Sequence, residues 1–444
     1  MEGIDLTKGS IPKHIAHIAI PASVGFLFNT LYNVIDTYWG GQVSTEALAA
    51  LSLSFPIFFI IIALGTGIGT GATALIANAL GKNDKEKARQ YAAQSISFSF
   101  LLSIILTIVG LWVSPYLFMT LGASGEYLHI AVEYMNVILY GTVFFMMSYA
   151  LNAILNAQGD TKSFRNFLIG GAVVNMALDP IFMYGFGLMP AMGFKGIALA
   201  TILIQFAGMI YLVFQVKKAN VFSSNYFQKM IPNAQIYKEI SEQGFPAGLN
   251  MMMTALGIFI ITYFLSKFTQ KAVAAYGIAT RIEQIVLMPT IGLNIAALSI
   301  ISQNNGAGYF ERIKEALSKT MKYGLIILTI GYALVFIFAN QMMGWFTSDI
   351  DVITTGAFYL RIAFFISWAY VLLFQNVSAL QGLKKPMFAL WMGIYRQIVA
   401  PLIIFPICIA FLGLNGVWLG IFLTVWTGAL YTVYYTRKKF QALG

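Results

Sequence analysis

Apolar runs of about 20 residues, the length that crosses a bilayer core, recur near 14–39, 47–80, 91–120, 129–156, 164–186 and 194–217. A second set follows near 240–266, 272–304, 319–346, 355–381, 387–411 and 414–436. The runs are continuous and lack the ten-residue alternation of barrel strands, so they predict helices and exclude a transmembrane barrel. The two sets are copies. A shift of 225 positions lays Pro21 on Pro246, Ile35 to Trp39 on Ile260 to Phe264, Gly67 on Gly292 and Gly81 on Gly306. The pattern predicts an all-α integral membrane protein of twelve transmembrane helices in two pseudo-symmetric six-helix bundles. An even number of spans per half makes this a parallel repeat. The amino-terminal lobe takes residues 1–217, a cytoplasmic linker 218–239 and the carboxy-terminal lobe 240–444. The linker is polar, with Asn220, Ser223, Ser224, Asn225, Pro232 and Asn233, and is expected to be partly interfacial helix.

Composition agrees with a bilayer. The chain is 59% hydrophobic and 10% charged, against roughly a quarter charged in soluble proteins. A formal charge of +10 raises the question of nucleic acid, but the bases sort by side of the membrane. Lys8, Lys13, Lys82, Lys85, Lys87, Arg89, Lys162, Arg165, Lys217 and Lys218 fall on one side, as do Lys229, Lys238, Arg312, Lys314, Lys319, Lys322, Lys384, Lys385 and Arg437 to Lys439. Lys195, Lys267 and Lys271 fall opposite. The positive-inside rule then places both termini in the cytoplasm and accounts for the charge with no nucleic-acid partner. The first thirteen residues are short and polar, so the first run reads as a retained helix. Cys408 is the sole cysteine, which excludes an intramolecular disulfide.

Of seventeen acids, only Asp36, Asp179 and Glu283 lie inside spans, with Glu133 near an outer end. A carboxylate in this setting is a functional candidate by default. The repeat sharpens the case, because Asp36 faces Ile261 in the second copy. Counting turns from the outer ends puts Asp36, Asp179 and Thr201 in one outer-leaflet layer. Asn175 is four residues before Asp179, and Tyr32 four before Asp36, each on the face of its acid. Five oxygen-bearing side chains could thus converge. The competing reading makes Asp36 and Asp179 helix-end acids reaching water, and Asn175 and Thr201 ordinary interhelical contacts. Glu283 follows Arg281 by two residues and does not face it, leaving Arg361 and Arg396 as candidate partners in a structural ion-pair network or a second coupling site. Pro21 and Pro246 occupy equivalent places and permit kinks; Pro21 shares its helix with Asp36. Gly65, Gly67, Gly69 and Gly71 suit close helix packing. No metal-ligand spacing joins His14, His17 and His129, and no phosphate-binding loop occurs, so neither an enzyme nor a cofactor is expected.

The segments IPASVGFLFNTLYNVIDTYW, ALAALSLSFP, NALGKNDKEKAR, LNAQGDTK, NMALDP with GIALAT, AVAAYGIATRIEQ, QNNGAGYFERIKEAL and ALQGLKKP resemble, in this order and over essentially the whole chain, the multidrug and toxic compound extrusion (MATE) family. The resemblance implies a V-shaped pair of six-helix bundles exporting organic cations and amphipathic drugs in exchange for protons or sodium. It implies an amino-lobe cation site of Asp36, Asn175, Asp179 and Thr201, a cavity lined by Tyr32 and Tyr134, and Asn29 and Asn152 as further members. The sodium-site pattern with acids in helices 7 and 10 is not matched, since helix 7 has only Glu242 at its entrance and helix 10 has none. The expected protein is therefore a monomeric, proton-coupled drug antiporter of the plasma (inner) membrane. Sodium coupling through Asp36, Asp179, Asn175 and Thr201, a flippase of lipid-linked precursors, and an intramembrane hydrolase built on the two aspartates stay open as alternatives.

Overall fold

The structure, a computed structural model, describes residues 4–43, 45–187, 190–219 and 226–442. It is built almost wholly of helices. Among the described residues eleven are long and apolar enough to cross a membrane, or twelve when the bent pair Gly125–Tyr140 and Thr142–Ala157 counts as one. We number the spans 1 (Ile11–Val43), 2 (Thr45–Gly81), 3 (Lys85–Thr120), 4 (the bent pair), 5 (Lys162–Tyr184) and 6 (Phe194–Lys218). The second set is 7 (Ala234–Ser266), 8 (Gln270–Ala307), 9 (Phe310–Ile337), 10 (Ile350–Gly382), 11 (Met387–Leu412) and 12 (Leu414–Gln441). Asp84, Thr269 and Asp349 cap spans 3, 8 and 10 by accepting first-turn N–H groups, which fixes where these helices begin. Span 4 bends by 43° at Gly141, where a side chain would run into Ile202 of span 6. Span 11 contains a π-helical turn at Tyr395–Val399.

The chain forms two compact units. One is Val24–Gly248 with Ile4 and Asp5; the other is Leu6–Ser23 with the chain from Leu249 onward. Spans 1 and 7 each change unit two residues after a proline, Pro21 and Pro246, so the repeat marks the crossing points. In the first unit, the start of span 7 lies backbone to backbone on span 2. A Cβ on Gly67 would sit 2.7 Å from the Gly244 carbonyl oxygen, and one on Gly71 would sit 2.6 Å from the Gly244 nitrogen. Such approach requires glycine on both helices. The same unit straps the segment before span 7: Gln94 donates to the Ile231 carbonyl at 2.7 Å and Ser97 to that of Met230 at 2.7 Å. In the second unit, Arg312 donates to the carbonyls of Gly9 (2.9 Å) and Leu6 (3.2 Å), holding the segment before span 1. Within the predicted linker, Tyr226–Lys229 is a short helix; Asn220, Ser223, Ser224 and Asn225 lie outside the described residues.

Candidate functional site

The two aspartates of the first half meet through one amide. Asn175 Nδ2, on span 5, donates to Asp36 Oδ1 of span 1 at 3.0 Å and to Asp179 Oδ1, one turn along its own helix, at 2.9 Å. Thr201 Oγ1 of span 6 donates to the other Asp36 oxygen at 3.4 Å. Asn175 and Asp179 are fully buried and Asp36 is 8% exposed, so these are interior carboxylates rather than helix-end acids at a water interface. Span 6 comes close enough because Gly193 turns the chain at φ +56° and Gly196 lies on the backbone of Phe182, a Cβ there falling 2.7 Å from its carbonyl carbon.

No basic side chain pairs with either aspartate among the described residues. Carboxylates this close repel when both are ionised, and a bound proton or cation relieves that repulsion. Three neighbouring oxygens, Asn175 Oδ1, Asp179 Oδ2 and Tyr32 Oη, are buried with no protein partner. They can face a small cation.

Tyr134 is buried and stacks on Phe194 at the start of span 6, centroids 4.5 Å apart. Asn152 is buried with its Oδ1 unpartnered. Asn29 lies seven residues before Asp36 with an exposed side chain, and is not drawn into the cluster.

In the second half, Glu283 has tyrosine partners in place of the expected arginines. Tyr332 donates to Oε1 at 3.3 Å and Tyr359 to Oε2 at 2.8 Å. Arg396 lies instead over the rings of Tyr370 (5.9 Å) and Phe374 (5.8 Å). Arg281 and Arg361 join no hydrogen bond or ion pair among the described residues, so the network of Glu283 with Arg281, Arg361 and Arg396 is not formed. Tyr332 and Tyr359 escaped the sequence reading because tyrosine is common in apolar spans and only the packing of spans 8, 9 and 10 brings these two to one carboxyl. Tyr359→Phe leaves a buried carboxyl oxygen without its shorter bond, which costs about 1–3 kcal/mol. Thermal unfolding in detergent is expected to show a lowered Tm for Tyr359→Phe and a smaller drop for Glu283→Gln; the reverse order would mean that the hydroxyl does not support the acid.

A profile of the MatE family matches residues 21–181 and 246–407. The two matches begin 225 residues apart, the shift at which the sequence repeats. The chain is 27% identical over 403 residues to the FAD transporter of Shewanella oneidensis, covering 89% of this chain and 87% of that one. It is 27% identical over 356 residues to the multidrug export protein MepA of Staphylococcus aureus, covering 80% of this chain and 78% of that one. A solved structure described as the outward-facing conformation of a multidrug resistance MATE family transporter superposes with TM-score 0.92 at 28% identity, covering 100% of this chain and 99% of that one.

Proposed function

Because the chain belongs to the multidrug and toxic compound extrusion family, a family of transporters rather than enzymes, we propose that it is a secondary antiporter exporting cationic and amphipathic drugs in exchange for protons. The observation that carries this reading is the amide of Asn175 shared between Asp36 and Asp179. An acid pair without a base has two states of similar shape and different charge, which is what a coupling site needs. With the proton bound, Asp36 is neutral and its surroundings are satisfied by Asn175 and Thr201. Once the proton leaves, the uncompensated negative charge attracts an organic cation into a cavity lined by Tyr32 and Tyr134, with Asn152 and Asn29 at its margins. Proton entry from outside then releases the drug. The functional lobes are residues 1–217 and 240–444, joined by 218–239, in a monomer of the plasma (inner) membrane with both termini cytoplasmic.

The unpartnered oxygens of Asn175, Asp179 and Tyr32 favour one second reading, sodium held at Asp36, Asp179, Asn175 and Thr201. The relatives named for FAD and for multidrugs mark the breadth of aromatic cargo to be tried. Ethidium efflux from proteoliposomes under an imposed pH gradient in sodium-free buffer decides the ion. Efflux at full rate without sodium is expected; strict dependence on sodium would replace the proton with sodium at the same residues.

Pro21 sits fifteen residues before Asp36, about 22 Å along a straight helix, and works as a bend rather than a contact. Protonating Asp36 biases span 1 between straight and kinked forms. Pro21→Ala is expected to slow ethidium transport several-fold while its binding changes little. Pro246→Ala, in the repeat where Ile261 replaces the acid, is expected to be milder; equal effects would make both prolines packing features.

A further inference from the structure

The intramembrane charges of the two halves are opposite in sign. The first half carries Asp36 and Asp179 with no base beside them; in spans 8, 10 and 11 Arg281, Arg361 and Arg396 stand well inside the helices, where the one acid at comparable depth is Glu283. That acid is already held by two tyrosine hydroxyls. Spans 8 and 10 run parallel in a register fixed by Lys271 with Asp351 (2.6 Å), Tyr359 with Glu283 (2.8 Å) and Gln375 with Asn294 (2.8 Å). Arg281 and Arg361 are each eleven residues into their spans, so they share a level about 16 Å from the helix starts. Arg281 is exposed, and Arg361 and Arg396 are half-buried. Guanidinium groups at such depth are stable only against water, protein acceptors or a ligand, because acyl chains solvate none of their charge. Here protein acceptors are missing among the described residues.

Arg396 is the most constructed of the three. It lies in the π-helical turn Tyr395–Val399, a distortion that aims side chains off the ordinary helical register and concentrates at functional places. Its guanidinium faces Tyr370 and Phe374 at 5.9 and 5.8 Å, and these two rings, one turn apart on span 10, stack with centroids 5.5 Å apart at 11°. The rings orient the planar cation without using its N–H groups. Five donors in a fixed fork are thereby left for an oxyanion, which the guanidinium geometry matches two bonds at a time.

We propose that the second unit holds a substrate subsite for an oxyanion, carboxylate or phosphate, carried on an aromatic body, with Arg396 binding the oxygens and Tyr370 and Phe374 beside the aromatic part. The proposal rests on the chain being a transporter of amphipathic compounds and widens its cargo from cations to zwitterions and aromatic anions. The acid pair of the first unit remains the coupling site.

The test uses full-length protein in phosphatidylcholine nanodiscs and two probes that differ only by a phosphate, riboflavin and flavin mononucleotide, with binding read by flavin fluorescence. The wild type is expected to bind the phosphate-bearing flavin about 10-fold or more tightly than riboflavin, the range of charge-assisted hydrogen bonds. Arg396→Gln is expected to bring that ratio close to one. Arg396→Lys, which keeps the charge but not the fork, is expected to keep part of the preference and stands in if the glutamine variant does not fold. A ratio near one in the wild type, or a full preference in either variant, would overturn the proposal. Loss of the wild-type preference when phosphatidylglycerol replaces phosphatidylcholine would assign the site to a lipid headgroup and overturn the substrate assignment. Wild-type ethidium efflux in proteoliposomes reports separately on the export reading, so failure of one is distinguishable from failure of the other.

Discussion

Asp36→Asn is expected to reduce drug efflux to the rate of empty vesicles while the protein is made and folds normally. The substitution is nearly isosteric. Its amide oxygen can still accept from Asn175 Nδ2, now 3.0 Å from Asp36 Oδ1, and Thr201 can turn its hydroxyl to accept where it now donates at 3.4 Å. What disappears is the charge cycle. An asparagine can neither bind a proton nor present a negative charge, and the repeat offers no substitute, because Ile261 stands at the equivalent place in span 7. Asp179→Asn is expected to act similarly, since it dissolves the acid pair from the other side, and Asn175→Ala more mildly. Ethidium efflux from vesicles at matched protein level checks the series. Undiminished transport by Asp36→Asn would remove the acid from the coupling step.

Gly71→Ala is expected to produce the largest loss of stability among single methyl additions in span 2. The new Cβ would fall 2.6 Å from the Gly244 nitrogen and 2.8 Å from its α-carbon, so the obstacle is backbone, which cannot rotate away. Spans 2 and 7 would have to separate, at a cost of about 1–3 kcal/mol for overpacking. Gly69→Ala is the control on the same helix. Its Cβ meets only the Tyr149 carbonyl oxygen at 3.7 Å, an ordinary contact, and replacing glycine inside a helix stabilises by about 0.5–1 kcal/mol. Thermal unfolding in detergent is expected to place Gly71→Ala well below the wild type and Gly69→Ala at or above it. Equal Tm values for the two variants would show that the spans do not rely on this close approach.

The spans were legible because twenty apolar residues in a row have few alternatives to a membrane helix. The meeting of the two aspartates was legible for a different reason: the depth of a residue follows from counting turns, and Asp36, Asp179 and Thr201, which share a hydrogen-bonded cluster, counted to the same layer. The bend at Gly141 was not, since residues on both sides are equally apolar, and only packing brings up the Ile202 side chain of span 6 that leaves no room for a Cβ there. The crossing of spans 1 and 7 between units escaped a division that followed chain order, although Pro21 and Pro246 stand two residues from the crossings. Glu283 and the arginines were paired by charge alone. The structure gives the acid to tyrosines because hydroxyls satisfy a carboxyl without bringing a second charge out of water, where desolvation offsets the attraction of an ion pair.

The most direct measurement is drug-induced proton release from purified protein in weakly buffered, sodium-free detergent solution, followed with a pH-sensitive dye. If the acid pair at Asp36 and Asp179 exchanges a proton for the drug, adding ethidium to the wild type releases protons with the same saturation curve as drug binding, and adding it to Asp36→Asn releases none. Saturable ethidium binding to the wild type without proton release, or release undiminished in Asp36→Asn, would contradict the account.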